Sequence, residues 1–86
     1  MDIKEGTVVV SAAGHDKGGI FAVIGFTHGE YALIADGKVR KLEKPKKKKL
    51  KHLEPIGILE QGNPTQTNRQ LKKALKSFDA WGGQGR

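Results

Sequence analysis

The residues best suited to chemistry are lysines. Pro45-Lys46-Lys47-Lys48-Lys49-Leu50-Lys51-His52 puts five ammonium groups into six residues. Such groups neutralise phosphates as flexible point charges and release condensed counterions, which gives affinity with little base readout. Four consecutive like charges repel one another, a cost that argues for a use beyond solubility. Taken more widely, Lys38, Arg40, Lys41, Lys44, Lys46, Lys47, Lys48, Lys49 and Lys51 face one acid, Glu43. The stretch 38–51 therefore carries +8, the whole chain +7 and the remainder −1. Positive charge this localised points to a polyanion, of which nucleic acid is the commonest. Short basic runs also look like nuclear-import signals, but this one is expected to join two strands and not to hang free.

Gly14-His15-Asp16-Lys17-Gly18 is the second candidate. Its glycines can supply positive φ and Asp16 is a turn-former, so geometry alone accounts for the composition. The other groups argue against catalysis. His15, His28 and His52 are far apart and there is no cysteine, so no metal site is expected. Ser11 and Ser77 lack a supporting constellation, no carboxylate pair suggests acid–base work, and the glycine loop lacks the Lys-Ser/Thr ending of a nucleotide loop. The reading is a non-enzyme without cofactor. The aromatics are Phe21, Phe26, Tyr31, Phe78 and Trp81, and none falls in the basic run. That favours phosphates and the shape of folded or double-stranded RNA over unstacked bases. Tyr31 is a candidate stacking residue, with the core or barrel rim the favoured reading, and Trp81 is expected partly exposed at a helix end.

A chain of 86 residues makes one small domain with a thin core. The absence of cysteine fits a reducing cytoplasm, no apolar run approaches a membrane span, and Met1-Asp2-Ile3-Lys4-Glu5 is no signal peptide. Gly6 to Gly25 organises the chain as strand, glycine-rich loop, strand. Strands are predicted over about Thr7–Ala12, Ile20–Thr27, Glu30–Ala35 and Lys38–Leu42, with a short fifth from Leu50 to Leu53. His28-Gly29 and Asp36-Gly37 mark hairpins, the latter as a type I′ turn. Glu43 to Lys49 reads as a basic loop, with Pro45 blocking pairing at its own position. The expected core is Val8, Val10, Ile20, Val23, Ile24, Leu33, Ile34, Val39, Leu42, Leu53 and Ile56. A linker over 57–64 leads to a helix over 65–81, capped by Thr65 or Thr67. Leu71, Ala74, Leu75 and Phe78 form its apolar face, and Lys72, Lys73 and Lys76 its outer side or basic end. Gly82 and Gly83 stop it, and 82–86 is expected to be disordered. Such a helix is marginal alone, so its apolar face must meet the strands or a partner.

Gly6, the alternating Val8 and Val10, the Asp16-Lys17-Gly18 loop and the following Val23-Ile24 strand resemble the KOW motif of ribosomal proteins and transcription elongation factors. The motif lies at about residues 6–25; the likeness covers roughly the first third of the chain, and with the strands after it about two thirds. Phe21, where many such sequences have a small residue, leans toward the archaeal and eukaryotic large-subunit ribosomal protein fourteen family. The resemblance implies a mainly β fold, a small SH3-like β-barrel of about five strands over 1–56, followed here by one C-terminal α-helix. It also implies RNA contacts at His15, Lys17 and the Gly18 N–H. The RNA would be ribosomal or otherwise structured, the role translation, and ribosomal proteins further partners. Together these features describe a monomeric, cytoplasmic RNA-binding module that docks its lysine-rich loop on phosphates. The rival is a protein-interaction module of a transcription or translation complex, using the barrel edge and Leu71, Leu75, Phe78 and Trp81.

Overall fold

The β-branched run that opens the chain becomes a strand with both faces covered. In the computed structural model, which describes residues 2–59 and 66–78, β1 (Thr7–Ser11) lies between β2 (Ile20–Phe26) and β5 (Leu53–Ile58). Beyond β2 come β3 (Tyr31–Ala35) and, at the edge, β4 (Lys46–Lys49). The five strands form one antiparallel sheet in the order β4-β3-β2-β1-β5.

The sheet is curled but not closed. β4 and β5 are its two edges, yet only one 3-10 turn, Leu50–His52, connects them. That turn spans the end of the sheet. The Leu50 N–H donates to the Glu30 carbonyl at 2.7 Å, and the His52 carbonyl accepts from the Ala12 N–H at 2.8 Å. Register shifts at Val8/Val9 against β5 and between Val23 and Gly25 against β3 supply local bends. The inner face gathers Val9, Phe21, Val23, Ala32, Ile34 and Leu53, with Ile3 and Leu50 packed against them. The outer face gathers Val8, Ala22 and Ala35 under the helix α1 (Asn68–Lys76).

Leu71 and Leu75 of α1 are buried on the sheet, joined by Phe78, which rests over Gly57. Thr67 caps the helix. Its hydroxyl accepts from the Gln70 N–H, and the Gln70 side-chain oxygen accepts from the Thr67 N–H. Asn68 fixes the N-terminal end to the segment after β3. Its Oδ1 accepts from the Leu42 N–H and its Nδ2 donates to Glu43, both at 2.7 Å. That side-chain hydrogen bond, with Glu43's own N–H and Lys41 nearby, holds the Glu43 carboxyl below its usual pKa.

Several expectations are corrected. Residues 38–42 are not a strand. Asp36 Oδ1 accepts from the N–H groups of Lys38 and Arg40, which holds a side-chain-stabilised loop. Asp36 does not take positive φ, so Asp36-Gly37 is no type I′ turn. The fourth strand is instead the lysine run itself, and the expected fifth strand at Leu50 begins as the 3-10 turn. β5 continues to Ile58, into the expected linker. Val39, expected in the core, is 63% exposed, and Val10, Ile20, Ile24, Leu33, Leu42 and Ile56 are only partly buried. Val9, Phe21 and three alanines are buried in their place, because a sheet covered on both sides buries both phases of its alternation. Thr65, Trp81 and the tail 82–86 lie outside the described residues.

Candidate nucleic-acid interface

An edge strand, not a loop, presents the lysine run. The register pairs Tyr31 with Lys49, Ala32 with Lys48, Leu33 with Lys47 and Ile34 with Lys46. Strand alternation then sends Lys46 and Lys48 to the inner face and Lys47 and Lys49 to the outer. On the outer side Lys47 Nζ stands 5.0 Å from the Tyr31 ring centre and Lys49 Nζ 6.0 Å. Each such contact contributes about 0.5–1 kcal/mol at an exposed site. On the inner side Lys48 reaches across the open end of the sheet, and its ammonium donates to the Ala13 carbonyl at 2.8 Å. Lysines on an edge also discourage pairing with another chain, so part of their value is structural.

Lys48 leads directly to the β1–β2 loop. Gly14–Asp16 form a 3-10 turn, with Gly14 and Gly18 at positive φ. The Gly18 N–H, an expected RNA contact, donates to the Ser11 carbonyl at 2.8 Å and is used within the loop. Arg40 is also engaged. Its guanidinium grips Asp16 with two hydrogen bonds, Nε to Oδ1 at 3.3 Å and NH2 to Oδ2 at 3.0 Å. Bidentate geometry makes this a pin between the β1–β2 loop and the β3–β4 connection. Arg40 is therefore withdrawn from the set of free cations.

On the other side of that loop lies an open cleft of about 1180 Å³. The β1–β2 loop, the segment after β3 and α1 form its walls. His15, Lys17, Gly18 and Lys38 line it, together with Arg69, Lys72, Lys73 and Lys76. The two carboxylates that line it among the described residues are occupied, Asp16 by Arg40 and Asp36 by two backbone N–H groups. The helix cations were missed as binding residues because each also fits an ordinary solvated helix face. Their signal was the spacing: 69, 72, 73 and 76 repeat at helical intervals opposite Leu71 and Leu75.

The structure thus brings His15, Lys17, Gly18 and Lys38 together in the cleft, and sets Lys46, Lys47, Lys48 and Lys49 on the adjoining strand. Lys41 and Lys44 are exposed on the connection and Lys51 on the 3-10 turn, outside the cleft. Among the described residues no cluster of His, Asp and Glu could hold a metal ion, and no helix is long and apolar enough to cross a membrane. No protein-family model matches the chain, and no curated protein matches it.

Proposed function

We propose that the protein is a non-enzymatic RNA-binding module that docks on the phosphates of structured RNA. The carrying observation is the convergence of Lys17, Lys38, Arg69, Lys72, Lys73 and Lys76, from three separate stretches of chain, on one cleft with no free carboxylate among the described residues. Cations assembled from distant sequence onto one concave surface focus a field for a polyanion. Lys46 to Lys49 add a second group of cations along β4, outside the cleft lining, with Lys48 held on the Ala13 carbonyl. We read the fold as an opened SH3-like barrel of the KOW type. The strand order and the 3-10 turn between β4 and β5 support that reading. On the same resemblance the RNA is ribosomal or a similar structured RNA, the setting is translation in the cytoplasm, and the protein acts as a monomer. The rival interaction module loses much of its surface, since Leu71, Leu75 and Phe78 already cover the chain's own sheet.

The test is binding of a structured RNA hairpin across a salt series. Each phosphate contact contributes about 0.9 to the log–log slope on duplex nucleic acid. Replacing Lys72, Lys73 and Lys76 together by glutamine should lower the slope by about two to three. These side chains are exposed, so the fold should persist by circular dichroism. Absence of binding by the wild-type protein at low salt would overturn the proposal.

A further inference from the structure

The lysine run contains no aromatic residue, but strand pairing gives it one. Tyr31 sits opposite Lys49 and diagonal to Lys47, with both ammonium groups over its ring. The ring is only partly buried, and neither core cluster among the described residues includes it. α1 covers the outer face over Val8, Ala22 and Ala35, leaving the end of β3 that carries Tyr31 outside that cluster. Across β3 from Lys47, Leu33 pairs with Gly25, which carries no side chain to stand above the sheet. The result is a patch with the Tyr31 ring, Leu33 next to it on the same face, and a cation on each neighbouring position of the edge strand.

We propose that Tyr31 is a stacking platform for one unpaired base of the bound RNA, with Lys47 and Lys49 holding the phosphates that flank that nucleotide. An exposed ammonium–ring contact is weaker than stacking of a base on an aromatic ring. A base therefore displaces the ammonium groups from the ring, and they turn to the backbone. Lys47 and Lys49 are two residues apart on one strand face, about 7 Å, a span suited to one nucleotide step. The proposal rests on the RNA-binding reading and adds to it a site for a single-stranded or bulged nucleotide, separate from the cleft, whose lining includes none of Tyr31, Lys47 and Lys49.

The experiment compares a short oligouridylate with a blunt RNA duplex, using the full chain and the variants Tyr31→Leu and Tyr31→Trp. Tyr31→Leu should weaken oligouridylate binding roughly tenfold, leave its salt slope unchanged and leave duplex binding intact. Tyr31→Trp should restore it. The chain has one tyrosine, so its ring protons can be followed in the unaltered protein, and stacking should move them upfield as oligouridylate is added. Unchanged oligouridylate affinity in Tyr31→Leu, or ring protons that stay in place while the oligonucleotide binds, would refute the platform and leave the RNA reading standing. Failure of the wild-type protein to bind either RNA would refute both.

Discussion

At the scale of single residues, Arg40 shows how structure can remove a cation from a binding surface. It lies in the most basic stretch of the chain, yet its guanidinium is committed to Asp16, 24 positions away. The pair is asymmetric, with the Asp16 side chain 7% exposed and that of Arg40 29%. Arg40→Met leaves a nearly buried carboxylate without its partner, whereas Asp16→Asn leaves a guanidinium that water can reach. We therefore expect Arg40→Met to cost about 1–3 kcal/mol and Asp16→Asn distinctly less, measured from urea midpoints. Equal costs would mean that the carboxylate is better solvated than its burial implies. Nothing in sequence marked this pair. Asp16 had a sufficient explanation as a turn residue and Arg40 as one cation among nine, and their meeting depends on how the β1–β2 loop folds back.

At the scale of elements, the docking of α1 is decided at Gly37. Its φ is +79°, and a Cβ there would collide with the Asn68 carbonyl at the start of the helix. Gly29 has a similar φ, +76°, with open space around it. Gly29→Ala should therefore cost only the backbone penalty, about 1–2 kcal/mol. Gly37→Ala should cost more, because the helix must also shift from the sheet. Thermal melts of the two variants provide the comparison, and equal losses would mean that the helix end yields freely.

The same scale shows what could be read beforehand. β1, β2 and β3 were legible within a residue or so at each end, because valine, isoleucine and alanine runs between glycine-rich turns carry both propensity and period. The helix was legible from Leu71, Leu75 and the Thr67 cap. β4 was not, since four lysines carry no strand signal. An edge strand needs only one hydrogen-bonded neighbour, and β3 imposes the conformation. Asp36-Gly37 misled in the opposite direction. The Asp36 carboxylate could satisfy two backbone N–H groups locally and hold a broad loop where a tight hairpin was expected.

At the scale of the whole molecule, the division of the chain into a stretch at +8 and a remainder at −1 hid half of the basic surface. Arg69, Lys72, Lys73 and Lys76 were cancelled on paper by acids elsewhere in the chain, yet in space they share one cleft. Only the packing of the helix against the sheet brings them to Lys17 and Lys38. The central position of β1 has a further consequence, for kinetics. Val8 finds one partner nearby in Ala22 of β2, but its other is Gly57, near the end of the described sheet. Contacts of such sequence separation delay folding, because the chain loses loop entropy before the pairing repays it. Refolding should therefore be a single slow phase, on the order of milliseconds to seconds, readable by stopped-flow circular dichroism. A chain ending at His52 should remain unfolded. The first strand made waits for the last, and the sheet forms in one cooperative event.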